Sequence, residues 1–108
     1  MEHYLIEAAC KPETWNALVK NPQDRIAAFS AVVERMGGKL EGGWLAFGED
    51  DWIVICELPD NVTAAALSMA VSAGGAMKAV KTTPLMSPEE SVKAMKRAAE
   101  AGYKPPVA

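Results

Sequence analysis

The chain has little of what most reaction centres are built from. It holds one histidine and two cysteines in 108 residues. A single histidine excludes a multi-histidine zinc site within one chain. Cys10 and Cys56 show no C-x-x-C spacing, so a redox motif or zinc ribbon is not indicated. They read as buried thiols in a reducing, cytoplasmic setting. No apolar run is long enough to cross a bilayer. The N-terminal stretch MEHYLIEAAC has neither the length nor the charge of a signal or transit peptide. Excess positive charge is missing too: the net charge is -3. A nucleic-acid binder normally clusters Lys and Arg, so none is expected as a partner. No G-x-x-x-x-G-K-[ST] occurs, so Gly37-Gly38, Gly42-Gly43 and Gly74-Gly75 make no phosphate loop.

What is present is enough for one domain. Half the residues are hydrophobic, and a chain this long buries one core. We expect residues 1–102 to form that domain and residues 103–108 a C-terminal tail. Charge is unevenly spread. Up to Gly75 there are 11 acidic and 5 basic residues; from Ala76 on there are 3 and 6. Such a split suits differently solvated surfaces or charge matching between copies.

His3 to Cys10 reads as a strand, stopped by Pro12. Glu13 to Lys20 reads as a short helix. Asn21-Pro22 is expected to restart it, with Asn as cap and Pro in the first turn. Ile26, Phe29, Val33 and Met36 then follow at helical spacing until Gly37-Gly38. Lys39 to Phe47 is a second strand, with Leu45 and Phe47 on one side and Leu40, Trp44 and Ala46 on the other. Gly42-Gly43 in its middle suggests a bulge or a close backbone approach. A polar turn, Gly48 to Asp51, leads to a third strand, Trp52 to Leu58. Both faces of WIVIC are apolar, so both should be covered. Asp60 or Asn61 caps a helix over about 62–73, expected to bury Val62, Ala66, Met69, Ala70 and Ala73. Met77 to Leu85 is a fourth strand, with Pro84 placing it at an edge or exit. Ser87-Pro88-Glu89-Glu90 is a capping box for a last helix.

This order is the split βαβ pattern, an α+β ferredoxin-like βαββαβ fold with a four-stranded antiparallel sheet and an extra C-terminal helix. Both internal helices lie on one sheet face. The other face is expected to be covered by the last helix and by a second copy, which makes a homodimer.

The stretch Met36 to Asp60 resembles the GYD domain family. The matching features are Gly37-Gly38-Lys39, Gly48 and Asp51 at the hairpin turn, the apolar strand and Pro59-Asp60. Tyr4 and Asn21-Pro22 upstream, and Ser87 to Glu90 downstream, are similar as well. The family's central Tyr is replaced here by Asp50. The resemblance implies pairing into a dimeric α/β barrel and implies no reaction. The wider fold group includes cofactor-free monooxygenases, isomerases and ligand-sensing domains, so fold alone does not choose among them.

Residues able to carry chemistry are few. Glu49, Asp50 and Asp51 can repel one another and bind a hard cation, or serve as a polar hairpin turn with Asp51 bonding to nearby backbone amides. His3 is a candidate general base beside Glu7, or a partly exposed terminal histidine. Trp15, Trp44 and Trp52 can wall an aromatic pocket or pack a core. The expected ligand-contacting set is therefore His3, Glu7, Trp15, Trp44, Gly48, Asp50, Asp51 and Trp52. No cofactor and no metal site is expected. The reading is a homodimer binding a small apolar ligand without catalysis. The alternatives are a cofactor-free monooxygenase or isomerase using the same pocket, and a purely structural dimer.

Overall fold

The computed structural model describes residues 1–106; residues 107 and 108 of the expected tail lie outside the described residues. The elements are β1 (Glu2–Cys10), α1 (Pro12–Lys20), α2 (Arg25–Arg35), β2 (Lys39–Leu45), β3 (Trp52–Leu58), α3 (Asn61–Ala73), β4 (Met77–Leu85) and α4 (Pro88–Ala99). The four strands form one antiparallel sheet in the order β2-β3-β1-β4. This is the expected ferredoxin-like βαββαβ topology with an extra C-terminal helix.

The sheet is open. β2 and β4 are edges, each paired on one side only. The dimeric α/β barrel implied by the resemblance is therefore corrected: this sheet does not close. A barrel needs its two edge strands to meet, and a barrel of about eight strands has an interior just wide enough for side chains to fill. Four strands leave the edges three ladder spacings apart, about 14 Å.

Alternation along the strands divides the sheet into two faces. Tyr4, Ile6, Val54, Cys56 and Leu58 point to the helix side and are buried. They join Val33 of α2 with Ala64 and Leu67 of α3 in one core. His3, Leu5, Glu7, Ile53, Ile55 and Glu57 point the other way. Gly38 is where the chain enters β2. A Cβ there would collide with the Glu57 carbonyl and lie 2.8 Å from Leu58 Cδ2, so only glycine allows the close approach.

Local chemistry explains the boundaries, and some differ from the expected ones. Asp24, not Asn21, caps α2: its carboxylate accepts from the Ala27 amide at 3.0 Å. Pro22 stays in the linker, so the restart comes three residues later. Asp60 caps α3 by accepting from the Thr63 amide and hydroxyl, both at 2.8 Å. The capping box of α4 forms in full, with Ser87 and Glu90 bonded reciprocally. β4 is an edge strand, which accommodates Pro84 without a lost ladder bond.

Two expected faces are wrong in detail. In α3 the buried residues are Ala64 and Leu67, while Val62 and Met69 are 79% and 69% exposed. The helix is apolar all round, so spacing could not choose a side. In β2 the bulge falls at Glu41, between Leu40 and Gly42. Leu40 opposes Cys56 and Trp44 opposes Ile53, so these two lie on opposite faces rather than together.

α4 buries no residue, and the molecule is elongated, 57 × 37 × 22 Å. Val92 and Met95 stay 48% and 68% exposed. The last helix does not seal the open sheet face.

Candidate functional site

α2 lies over β2, and α3 lies over β4 and β3. Between them they leave a cleft of about 750 Å3 above the middle of the sheet. Its floor is Ile6, Ala8, Val54 and Trp52. Ile26, Phe29 and Val32 of α2 make one wall, and Leu67, Ala70 and Val71 of α3 the other. Thr14, Ala17 and Leu18 of α1 close one end near Ala76 and Met77. Alanines at positions 8, 17, 70 and 76 are what keep the space open, since larger side chains there would fill it. The charged groups on the lining are Arg25 and Arg35.

Trp52 is held on two sides in this cleft. Its ring stacks on Trp15 at 6.1 Å between centroids and 20° between planes. Its indole N–H donates to Cys10 Sγ at 3.0 Å. Burial pushes the Cys10 thiol up; the Trp52 hydrogen bond opposes this and the Asp51 charge adds to it. Cys56, fully buried, is pushed up to about 11 by burial and by the Glu41 charge. Both cysteines are free, and neither is poised as a thiolate.

The adjacent acids of the hairpin turn do different jobs. Asp51 Oδ2 accepts from the Cys10 amide at 2.8 Å, and the Asp51 amide donates to the Ala8 carbonyl at 2.9 Å. The turn is thereby fastened to the end of β1. Asp50 instead pairs with Lys81 across the sheet at 2.9 Å and raises that ammonium's pKa. Gly48 has nothing near the position a Cβ would take.

The expected site residues thus separate into two groups. Trp15 and Trp52 meet on the helix side, next to Asp51. His3, Glu7 and Trp44 are on the open face, where Trp44 lies over Gly42 and is 56% exposed. On that face His3 Nδ1 is 2.9 Å from Glu41 Oε1 and His3 Nε2 is 3.7 Å from Glu57 Oε1. Glu41 and Glu57 were not singled out from the sequence. A bulge in β2 and the pairing of β3 with β1 bring them to His3, and neither shows as a motif. The cleft walls from α2 and α3 were missed for a similar reason: they are ordinary apolar residues whose value lies in the gap between two helices. A smaller hollow of about 330 Å3 lies by Tyr4, whose hydroxyl donates to Asn61 Oδ1 at 2.6 Å.

Comparison with known proteins decides the family. Residues 4–95 match the GYD domain. The chain belongs to the GYD domain family. No curated protein matches this GYD chain in sequence. Among solved structures it is similar to the crystal structure of MtbAldR, with a TM-score of 0.57 at 15% identity, over 80% of this chain and 53% of that one. The GYD chain spans about half the length of MtbAldR. It is also similar to the solution structure of the C-terminal domain of the MgtC protein from Mycobacterium tuberculosis. There the TM-score is 0.51 at 13% identity, over 79% of this chain and 88% of that domain. Both likenesses concern the fold. In this GYD domain no described helix is long and apolar enough to cross a membrane.

Proposed function

We propose that this small α/β protein of the GYD family binds a small apolar or aromatic molecule in the cleft between α2 and α3, without catalysing its conversion. The cleft itself carries the reading. At about 750 Å3 it has the size of small-molecule sites, roughly 300–1,000 Å3. Apolar side chains dominate its lining, and Trp52 offers a ring face fixed by Trp15 and Cys10. The described lining holds no carboxylate, imidazole or thiol. His3 and Glu7, the expected proton handlers, face the other side of the sheet, which favours binding over acid–base chemistry.

Native mass spectrometry of protein purified from its own host tests this. The expected result is a reproducible extra organic mass on the wild type that disappears in Ala70→Trp, a variant whose indole occupies the cleft. A bare wild-type chain, or an adduct that survives Ala70→Trp unchanged, overturns the reading.

A second copy is the partner proposed for the open sheet face. Leu5, Ile53 and Ile55 form an apolar centre there, with Trp44 exposed beside it. Glu41 and Glu57 make one end of that face acidic, while α4 presents Lys93, Lys96 and Arg97. An acidic face and a basic helix on the same chain suit association between copies. Sedimentation at micromolar concentration should show a dimer that Ile53→Lys dissociates; a clean wild-type monomer removes the proposal. The two free, buried thiols support a cytoplasmic location, which fractionation of host cells checks.

A further inference from the structure

The open face holds a cluster that the apolar cleft does not involve. His3 on β1, Glu57 on β3 and Glu41 in the bulge of β2 form a row across three adjacent strands. One donor atom from each lies within 4.8 Å of the others. All three side chains keep partial access to solvent, between 29% and 41%.

The two sides of the imidazole are not equivalent. Nδ1 is 2.9 Å from Glu41 Oε1, a good hydrogen bond. In the neutral ring that bond places the proton on Nδ1 and leaves a bare lone pair on Nε2. Nε2 faces Glu57 Oε1 at 3.7 Å. This is too long for a hydrogen bond. In that neutral form two electron-rich atoms face each other with a gap between them. Two ligands of a tetrahedral zinc ion, with bonds of about 2.0–2.1 Å, stand about 3.4 Å apart. The gap differs from that spacing by a few tenths of an ångström, a shift half-exposed side chains can make.

We propose that His3 Nε2 and Glu57 bind a divalent transition-metal ion of the zinc type, with water completing its coordination. Glu41 is a positioning residue: it holds the ring through Nδ1–H, the carboxylate–histidine–metal arrangement that raises ligand basicity. Glu41 follows Leu40, which opposes Cys56 on the helix side, so alternation aims it at the open face beside the ring. The donor set selects the ion. An imidazole nitrogen suits zinc and its neighbours, whereas magnesium and calcium prefer oxygen alone. The sequence did not show the site because its members come from three strands at no fixed spacing.

The test uses the tag-free full chain. His3 is the one histidine, so its ring signals in an NMR spectrum are unambiguous. Added Zn2+ should shift them saturably at one ion per chain, while Mg2+ at the same concentration leaves them in place. Glu57→Gln should weaken Zn2+ binding by well over tenfold. Glu41→Ala should weaken it by about tenfold and release the ring's fixed tautomer, visible in the imidazole nitrogen shifts. Circular dichroism should confirm an unchanged fold in both variants. Ring signals that do not move at millimolar Zn2+, an equal response to Mg2+, or calorimetric Zn2+ affinity that survives His3→Ala would each overturn the assignment.

Discussion

The two faces of the sheet are made from the same strands and behave as opposites. The helix side is uniformly apolar at its floor, yet its roof is incomplete, because α2 and α3 leave a cleft between them. The other side has no roof, and it mixes an apolar centre with charged ends. What separates them is the kind of partner each has room for. A gap between helices over apolar residues admits a small molecule. An uncovered strip flanked by glutamates and a histidine admits a larger surface or an ion. One sheet thus presents two unlike surfaces, and each of the proposals made above rests on one of them.

The sharpest way to probe this contrast is to shorten one side chain on each face. Leu58→Ala removes a fully buried side chain from the helix side and should cost about 3 kcal/mol in urea unfolding. Ile53→Ala, from the open face and only partly buried, should cost about 1 kcal/mol at low protein concentration, where copies stay apart. If the second loss equalled the first under those conditions, the open face would be packed within a single chain and the contrast would fail.

A smaller effect separates the neighbouring acids of the turn. Asp51→Ala leaves the Cys10 amide without its acceptor and should cost about 1–2 kcal/mol. Asp50→Ala breaks a pair whose lysine is half exposed and should cost less than about 1 kcal/mol. Equal losses in thermal unfolding would mean that the fastening of the turn to β1 contributes nothing.

The smallest effect concerns acid. Asp60 lies at the start of α3, and its carboxyl is held below the ordinary range by the Thr63 amide and then by the Thr63 hydroxyl. Folding therefore favours the ionised form. That stabilisation is complete above the ordinary carboxylate range near pH 4 and is lost as pH falls through the lowered value. Asp60→Asn keeps an acceptor at the cap but has no proton to take up. Its stability should stay close to wild type near pH 7 and fall less steeply in acid. Parallel pH profiles for the two proteins would show that the cap charge does not matter.

Much of the fold was legible because its signals were local. WIVIC is an unbroken apolar run between a polar turn and Pro59, Ser87 to Glu90 spells a capping box, and Pro84 marks an edge. Asp51 could be read as a backbone acceptor, although its partner, the Cys10 amide, lies 41 residues away in sequence. Less could be read where one physical rule had two solutions. α3 is apolar on every side, so its buried stripe was decided by the sheet beneath it. The faces of β2 depended on a bulge one residue earlier than the glycine pair suggested. Closure into a barrel was inherited from a resemblance, and the four strands alone do not achieve it. Of the expected site, Trp15 and Trp52 were brought together at the cleft, because stacking is a property of rings wherever the chain puts them. The separation of His3 and Glu7 from that pair followed from strand parity, which becomes visible only when register is known.

The bulge at Glu41 has a bearing on how this chain can vary. An inserted or deleted residue in a regular strand reverses every side chain that follows, and sheets seldom survive it. Here Leu40 and Gly42 already oppose neighbouring residues of β3, Cys56 and Ile55, with Glu41 as a surplus between them. Loss of that one codon would restore an unbroken ladder and leave both faces as they are. The surplus position is thus one place inside the sheet where relatives of this chain can differ in length, gaining or giving up a glutamate beside the histidine without rewriting the core.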